Sequence, residues 1–414
     1  MTVERAGSEL LTLEIGSVAA GGDGVARHDG MVIFVPRTAP GDRIVARVTR
    51  GRRFARGSVE RVDVAGPARE TPECQHYEGD RCGGCQLQHL SLSAQHEAKR
   101  AIVADAMHRI GRRTISPPEL RAGATPWRYR HRLSLALRRS GAGWSAGLHA
   151  WDDPNVVFSL VDCRIADSRM MELWKEVLGA AALLPEVPAL RGTVRLVGRR
   201  GAFALEGGSS WATAEEFAGR LPSFDGVWWT PEGGRRRRVG VSGADAPLAS
   251  FSQVNPAVAE MMLDHLEQRV VAAAPLYVVD AYAGSGDLAV RLQARGIRVT
   301  AIELDEEASA WSARALRAPS RAVAARVEDV LSRHLPADVV VLNPPRAGVS
   351  DAVTQCLESS TATQRIIYVS CDPATLARDV ARLPAWRVTG ATAFDMFPQT
   401  AHVETVLELT RGSA

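Results

Sequence analysis

Residues 275–296 read PLYVVDAYAGSGDLAVRLQARG, and this stretch decides the fold class. A short apolar strand, YVVD, runs into a glycine loop and then into a pattern of helical spacing. Three later segments repeat the unit of strand and loop, in most cases followed by a helix: RVTAIELDEEASAWSARAL (298–316), ADVVVLNPPRAG (337–348) and QRIIYVSCDPATLARDV (364–380). This alternation predicts an α/β fold with a doubly wound parallel sheet.

The glycine loop indicates where a ligand binds, because ligands of doubly wound sheets lie at the carboxyl ends of the strands. Gly284 and Gly286 allow a ligand to approach the backbone closely. Glu303, which ends the second strand, can accept hydrogen bonds from both ribose hydroxyls of a nucleoside. The loop lacks the full G-x-G-x-x-G spacing, which disfavours a dinucleotide and suits S-adenosylmethionine, a cofactor without a pyrophosphate. Asp329 follows the third strand, where the adenine ring should lie.

Two further strand ends carry candidate reactive groups. The fourth strand ends in Asn343-Pro344-Pro345-Arg346. Such motifs also occur in enzymes that methylate the amino group of adenine, so this one leaves the target atom open. The fifth strand places Cys371 just past its end and ahead of a helix. Thiolates are activated near helix N-termini, so we predict that Cys371 is a nucleophile and not a buried apolar side chain.

The rest of the chain predicts two more domains. Residues 1–65 alternate apolar and polar positions between glycine turns, which is typical of a small β-barrel of the kind that binds oligonucleotides. Residues 66–248 mix strand-like stretches with helical ones and predict an α+β domain. The doubly wound domain then occupies residues 249–414.

Four cysteines stand out as candidate metal ligands. Cys74, Cys82 and Cys85 have a C-x7-C-x2-C spacing, and Cys163 lies further along the chain. Four thiolates can hold either zinc or an iron–sulfur cluster, and the spacing leaves both open. Six cysteines in 414 residues do not suggest a disulfide framework.

The composition limits the class of protein. The chain has 46% hydrophobic and 23% charged residues and a formal net charge of +3, which is ordinary for a globular protein. Arginines cluster at 50–56, 109–113, 128–132 and 235–238, and such clusters can either track phosphates or form solvated faces. We find no apolar stretch of membrane-spanning length and no signal peptide, so we expect a cytoplasmic monomer.

Six motifs spread over most of the chain carry a family resemblance. They are CGGCQLQHL (82–90), FSQVNPAVAE (251–260), DAYAGSGD (280–287), NPPRAG (343–348), YVSCDP (368–373) and MFPQTAHVE (396–404). With these motifs the sequence resembles the RNA uracil-5-methyltransferase family. It is most similar to the ribosomal RNA members that have an N-terminal TRAM domain, an RNA-binding barrel, and an iron–sulfur cluster. On this resemblance residues 8–62 are the TRAM barrel, and the doubly wound domain is a Rossmann-like methyltransferase domain.

The resemblance implies S-adenosylmethionine-dependent methylation of carbon 5 of a uridine in RNA. Cys371 would attack carbon 6 of the uracil, and Glu404 would remove the proton from carbon 5. Cys74, Cys82, Cys85 and Cys163 would hold a [4Fe–4S] cluster. The S-adenosylmethionine site would be lined by Gln253, Tyr282, Asp287, Glu303, Asp329 and Asn343, together with the glycines of the loop.

Several alternatives stay open at this point. Ribosomal RNA, 23S in particular, is favoured over transfer RNA because many transfer RNA members lack both the barrel and the cluster. The family usually has aspartate where this chain has Asn343, which keeps adenine methylation in view. The first cysteine gap is seven residues where the family has five. A non-catalytic RNA-binding or ribosome assembly factor is the alternative of another class, and a cytosine-5-methyltransferase ranks last.

Overall fold

The computed structural model describes residues 8–141, 143–240 and 253–412. Within these residues the chain forms three β-sheets surrounded by helices. The strands are β1 (Ser8–Glu14), β2 (Ser17–Val18), β3 (Gly24–His28), β4 (Met31–Val35), β5 (Arg43–Arg50), β6 (Ala55–Val64), β7 (Glu119–Ala122), β8 (Arg132–Ser140), β9 (Gly143–His149), β10 (Val157–Ser159), β11 (Ala189–Val197), β12 (Arg200–Glu206), β13 (Phe224–Thr230), β14 (Arg237–Val239), β15 (Tyr277–Ala281), β16 (Arg298–Glu303), β17 (Arg321–Ala324), β18 (Val339–Leu342), β19 (Arg365–Ser370), β20 (Trp386–Asp395) and β21 (Glu404–Arg411). The α-helices are α1 (Gln75–Glu78), α2 (Leu92–Arg109), α3 (Ser168–Gly179), α4 (Ala214–Gly219), α5 (Pro256–Val271), α6 (Asp287–Ala294), α7 (Glu306–Ala315), α8 (Val327–Val330), α9 (Asp351–Ser359) and α10 (Pro373–Ala381), with single 3-10 turns at Ala181–Leu183 and Leu331–His334.

The first sheet is the predicted N-terminal β module. Its six strands have the order β1-β5-β6-β4-β3-β2, and β1 also contacts β3, so the sheet curls around its own core. Strand alternation supplies that core, because every second residue of β5 and of β1 points to the same face. The innermost side chains include Leu13, Ile33, Val35 and Ile44, which are at most 3% exposed.

The second sheet forms the central α+β region, as the mixed pattern of residues 66–248 predicts. Its order is β10-β9-β8-β11-β12-β13-β14, and its pairs are antiparallel except for β12 with β13. Helix α3 packs on β11, and the core between them is rich in large aromatic side chains. Trp174, for example, lies edge-on to Phe203, with ring centroids 6.0 Å apart.

The third sheet holds the doubly wound part of the chain, in the order β17-β16-β15-β18-β19-β21-β20-β7. The first five of these strands are parallel, as predicted. Strand β21, which lies outside the four predicted strand–loop units, is antiparallel to both β19 and β20. The reason is the short connection of residues 396–403 between β20 and β21, because parallel neighbours need a crossover of a dozen or more residues.

Strand β7 lies in the central part of the sequence, yet it pairs parallel with β20 and completes the third sheet. Helix α2 likewise precedes the second sheet and packs against α10 of the third. These contacts join residues 66–248 to the third sheet across the predicted boundary near residue 248. The predicted boundaries near residues 65 and 248 therefore stay predictions. Among the described residues, no helix has both the length and the apolar character needed to cross a membrane.

Candidate functional site

The glycine loop after β15 turns sharply into helix α6. Gly286 caps this helix with φ of +80°, a left-handed conformation that side chains disfavour. A Cβ at this position would also lie 2.7 Å from the Cβ of Ser312 on α7. Tyr282 has φ of +62° and is the strained non-glycine residue of the loop. The backbone conformation of the loop is therefore constrained at Tyr282 and at Gly286.

Glu303 connects the glycine loop to the end of the neighbouring strand. Its two carboxylate oxygens accept hydrogen bonds from the backbone N–H groups of Gly284, at 2.9 Å, and Asp305, at 2.7 Å. A carboxylate has about four acceptor positions, so two stay available for ribose hydroxyls. Asp287 begins α6 on the open side of the loop and accepts a hydrogen bond from the Ser285 hydroxyl at 3.1 Å.

Asp280 is a buried acid beneath this loop that the sequence motifs did not single out. It is 3% exposed, and its Oδ2 has no hydrogen-bond partner. Burial, followed by the negative charges of Asp287 and Glu303, raises the pKa of Asp280 to about 7. Asp280 is the residue before the last one of β15 and the first of the DAYAGSGD motif, and this position is the sequence signal that points to it. A cationic ligand in the loop would stabilise this group of three acids.

The other predicted cofactor residues lie around the same edge of the sheet. Asn343 is half-buried at the end of β18, and its backbone N–H donates to the Ala281 carbonyl at 3.2 Å. Gln253 is half-buried beside Val254, whose carbonyl accepts a hydrogen bond from the backbone of His131. Asp329 is exposed in α8. The acid near Tyr282 is Glu328, the residue before Asp329. Burial has the larger effect in raising the pKa of Tyr282, and the charge of Glu328 raises it further.

Cys371 and Glu404 lie at adjoining ends of β19 and β21. In the antiparallel pair of these strands, Ser370 lies opposite Thr405. Cys371 follows the last residue of β19 and Glu404 is the first residue of β21, and the charge of Glu404 acts on the Cys371 thiol, so the two side chains lie near each other. Glu404 is 3% exposed, whereas Cys371 is half-buried. The structure therefore brings the two predicted catalytic residues together at the carboxyl end of β19.

Arg346 is the third member of this group, and the sequence motifs gave it no role. Burial and the charge of Glu404 raise the pKa of Cys371, and the Arg346 guanidinium, which hydrogen-bonds the thiol, opposes both. Burial raises the pKa of Glu404 to about 7, again against the attraction of Arg346. The arrangement supplies a nucleophile, a base with a pKa near neutrality and one cation that favours the charged form of each.

The loop that carries Arg346 is tied to helix α10. Gly348 has φ of +77°, and its N–H donates to the Pro345 carbonyl at 2.8 Å, which closes the turn. The fully buried Asp379 accepts hydrogen bonds from the Val349 N–H at 2.9 Å and from the Tyr368 hydroxyl at 2.7 Å. A Cβ at position 348 would overlap with Asp379. These contacts explain why the NPPRAG motif ends in glycine.

The four predicted cysteine ligands line a single cavity of about 250 Å³ between the N-terminal region and the second sheet. All four are free thiols, and three of them, Cys82, Cys85 and Cys163, are 8% exposed. Gly84 donates its N–H to the Cys82 sulfur at 3.3 Å. Arg37 of the first sheet donates to the Cys82 carbonyl at 3.0 Å, which joins the barrel to the cysteine loop.

The cysteine cavity is not arranged as a site for one metal ion. No group of three or more His, Cys, Asp or Glu side chains in the described residues is placed so that it could hold such an ion. Burial raises the pKa of Cys82 to about 11, and the nearby Cys163 and Cys74 add to this rise. The thiols thus lie within electrostatic range of one another. Four cysteines are a donor set of both zinc and iron–sulfur sites, so the chemistry of the donors fits either group.

Comparisons with known proteins agree on one group of enzymes. Residues 313–412 match the family model described as tRNA (uracil-5-)-methyltransferase. The chain is 33% identical to the 23S rRNA (uracil(1939)-C(5))-methyltransferase RlmD of Halomonas elongata, over 99% of this chain and 91% of that one. An uncharacterized RNA methyltransferase of Streptomyces avermitilis is also 33% identical, over 96% and 97% of the two chains.

A solved structure shares the fold. The crystal structure of the Pyrococcus abyssi tRNA (uracil-54, C5)-methyltransferase in complex with S-adenosyl-L-homocysteine superposes with a TM-score of 0.69. The alignment covers 97% of this chain and all of that one, at 21% identity. The likeness therefore extends over the whole arrangement of sheets.

Proposed function

Because this chain belongs to the RNA uracil-5-methyltransferase family, we propose that it makes 5-methyluridine in 23S ribosomal RNA by covalent catalysis through Cys371 and Glu404. The observation that supports this proposal is that Cys371 and Glu404 lie together where β19 ends and β21 begins, with Arg346 acting on the pKa of both. We further propose that the enzyme acts as a cytoplasmic monomer.

Cys371 acts first in this mechanism. Its sulfur donates an electron pair to carbon 6 of the uracil, and the electrons of the carbon 5–carbon 6 double bond move onto the ring carbonyl as an enolate. Carbon 5, now electron-rich, takes the methyl group that S-adenosylmethionine supplies as an electrophile, and S-adenosylhomocysteine leaves. Arg346 supports the first step because its guanidinium favours the thiolate over the thiol.

Glu404 completes the reaction. Its carboxylate takes the proton from carbon 5, and the electrons of that bond restore the ring double bond. The bond from carbon 6 to the Cys371 sulfur then breaks and returns the thiolate. A base with a pKa of about 7 is well matched to this step near neutral pH. Methylation of the adenine amino group needs neither a thiol nor a nearby carboxyl. We therefore rank that alternative below methylation of uracil.

The glycine loop would hold the methyl donor. Glu303 has acceptor positions left for ribose hydroxyls, and Gly284 and Gly286 leave the backbone open to a ligand. The negative field of Asp280, Asp287 and Glu303 suits a sulfonium cation. Tyr282, Asn343, Gln253 and Asp329 complete the proposed set. Asp329 is exposed, and Glu328 is the alternative acid there.

Cys74, Cys82, Cys85 and Cys163 would hold a [4Fe–4S] cluster in this proposal. Support comes from four free thiols that line one cavity. The cluster would fix the fold of the cysteine loop, because residues on both sides of the cavity would bind to it. Iron and sulfide analysis of anaerobically purified protein tests this, with Cys82→Ala as the variant expected to lose both. Zinc in place of iron would contradict the assignment.

RNA would contact the N-terminal barrel, which we assign as the TRAM domain. Phe54 is 43% exposed and packs edge-on against Phe34, with centroids 5.5 Å apart. It borders a groove of about 520 Å³. We call this region the barrel arginine surface, and it comprises Arg47, Arg50, Arg52, Arg53, Phe54 and Arg56. An exposed ring among arginines can stack a base while the cations bind phosphates.

The decisive experiment traps the covalent intermediate. RNA with 5-fluorouridine at the target cannot lose a proton from carbon 5, so the cysteine adduct should persist on a denaturing gel. We expect the adduct with the wild-type enzyme and with Cys356→Ala, a matched change of a half-buried cysteine on α9. We expect none with Cys371→Ala. An adduct that survives in Cys371→Ala, or none in the wild type, refutes the mechanism.

The RNA target needs a separate measurement. Mass mapping of 23S ribosomal RNA and of transfer RNA from a deletion strain should show one or more 5-methyluridines missing from ribosomal RNA. Loss from transfer RNA alone would support the second candidate, and no loss would support a role as an RNA-binding or assembly factor.

A further inference from the structure

The 396–403 loop joins β20 to β21 and ends at Glu404. Gln399, in the middle of this loop, is 5% exposed and has φ of +69°. A residue other than glycine rarely adopts this left-handed conformation, and it persists only where surrounding contacts hold it. The catalytic strand therefore begins five residues after a strained and buried position.

Two contacts from Gln95 on α2 hold Gln399 in place. The Gln95 Nε2 donates to the Gln399 Oε1 at 3.0 Å, and the Gln399 backbone N–H donates to the Gln95 Oε1 at 3.0 Å. Gln95 is 1% exposed, and its Nε2 also donates to the Leu90 carbonyl at 2.9 Å. This reciprocal amide pair joins residues that are 304 positions apart in the chain.

The central region holds the loop at further points, among them the Tyr129 hydroxyl, which donates to the Pro398 carbonyl at 3.0 Å. The Leu87 N–H, two residues after Cys85, donates to the Gln399 carbonyl at 3.0 Å. Lys99, which is fully buried one turn after Gln95, donates to the Asp395 carboxylate at 2.5 Å and to the Phe397 carbonyl at 3.0 Å. Both backbone groups of Gln399 are thus bound by the central region, and the start of the loop is held by a buried ion pair.

We propose that Gln95 is a positioning residue for the catalytic base: its amide pair with Gln399 holds the 396–403 loop in the strained conformation that places Glu404 near Cys371. The inference rests on the proposed function, because it concerns the base of that reaction. Gln95 lies outside the cofactor loop and outside the cysteine cavity, so its effect should be confined to the step that Glu404 performs. That step is removal of the carbon 5 proton.

The test is a single-turnover reaction with ordinary uridine RNA and Gln95→Met, a variant of similar volume. Loss of the amide lets Gln399 relax and moves Glu404, and a displacement of about 1 Å can slow a step by about a hundredfold. Methyl transfer should continue while the methylated adduct on Cys371 accumulates. The adduct is measured as RNA–protein complex on a denaturing gel, with the methyl group followed by radiolabel.

A rescue variant separates positioning from general stability. Glycine adopts φ of +69° without strain, so Gln95→Met/Gln399→Gly should recover most of the lost rate and remove the accumulated adduct. The control is Val177→Ala, which weakens the core around α3 and should lower the melting temperature without any adduct. If Gln95→Met does not fold, Gln399→Ala removes the same side-chain bond and should give the same accumulation.

Two results overturn the proposal. One is slower turnover in Gln95→Met with no methylated adduct, and the other is an adduct that Gln399→Gly fails to reduce. The 5-fluorouridine trap is run on the same samples. Because that trap does not need the base, it should form normally in Gln95→Met, and its absence from the wild type would instead refute the proposed function.

Discussion

The Cys371 thiol and the Glu404 carboxyl share one electrostatic environment. Cys371 follows Ser370 and Glu404 precedes Thr405, and these two neighbours form the last pair between β19 and β21. The charge of Glu404 raises the pKa of Cys371. The Arg346 guanidinium lowers the pKa of both groups against the effect of burial. Glu404 and Arg346 therefore act on the protonation of Cys371, and Arg346 also acts on that of Glu404, which leads to measurable consequences.

We expect Glu404→Gln to stabilise the protein at alkaline pH. The pKa of Glu404 is about 7 in the folded chain against an ordinary 4.5, so the folded state binds more protons between these values. Its contribution to stability is present below pH 4.5 and is lost as the pH rises through 7. A shift of this size corresponds to about 3 kcal/mol as an upper bound. Urea unfolding should show a gain for the variant that is much larger at pH 8 than at pH 5, because the difference in proton binding begins near the ordinary pKa of 4.5. The exposed Glu60→Gln should show none, and an unchanged or lower stability of Glu404→Gln at pH 8 would contradict the assignment.

The reactivity of Cys371 should respond in opposite directions to its two neighbours. Removing the negative charge in Glu404→Gln lowers the pKa of the thiol, so alkylation by iodoacetamide at pH 8 should be faster. Arg346→Met removes the stabilising cation and should make it slower, while Arg346→Lys should keep most of the rate. Mass spectrometry of the Cys371 peptide measures this, with Cys356 as the internal reference. Equal rates in Glu404→Gln and wild type would mean that the two groups do not interact.

Gly286→Ala should damage the methyl-donor site more than Gly296→Ala does. Both glycines have φ of +80°, so each substitution carries the same conformational cost of about 1–2 kcal/mol. Only at position 286 would the new Cβ meet Ser312, which adds about 1–3 kcal/mol. We expect S-adenosylmethionine affinity, measured by calorimetry, to fall by about tenfold or more for Gly286→Ala and to be unchanged for Gly296→Ala. Equal affinities would place the donor elsewhere.

The barrel arginine surface should show two separable contributions to RNA binding. Arg52→Ala and Arg53→Ala should each reduce the slope of log affinity against log salt by about one. Phe54→Ala should weaken binding by about 1–3 kcal/mol and leave the slope unchanged, because stacking releases no counterions. Leu10→Ala, a change of a 56% exposed residue on β1, serves as the control. Fluorescence anisotropy over a salt series distinguishes these cases, and wild-type slopes in both arginine variants would exclude the surface.

The sequence was sufficient for the parts of the fold that local patterns encode. The mixed strand and helix pattern of residues 66–248 is the second sheet with its helices, and the strand–loop–helix units after residue 275 are the parallel strands of the third sheet. The family and the enzyme class predicted from six motifs are confirmed by the comparisons. The position of β21 was not predicted, because the direction of a strand depends on the length of a connection and not on its own periodicity.

Contacts between distant segments were beyond the sequence. Arg346 stood in a quoted motif, but only the fold shows that its side chain reaches both Cys371 and Glu404. Asp280 and Gln399 also lie in quoted motifs, but the burial of one acid and the left-handed conformation of one glutamine depend on neighbours elsewhere in the chain. The roles assigned to the cofactor, catalytic and cysteine residues stay predictions for the experiments described above.

Strand β7 has a consequence for dissection of the molecule. It covers the outer edge of β20, and it belongs to the stretch of chain that precedes the second sheet. A fragment that starts at residue 249 would leave the backbone N–H and C=O groups of β20 open along that edge, and open edges recruit strands from other molecules. We therefore expect the fragment of residues 249–414 to aggregate when it is expressed alone. Addition of a peptide spanning Glu119–Ala122 should reduce this aggregation.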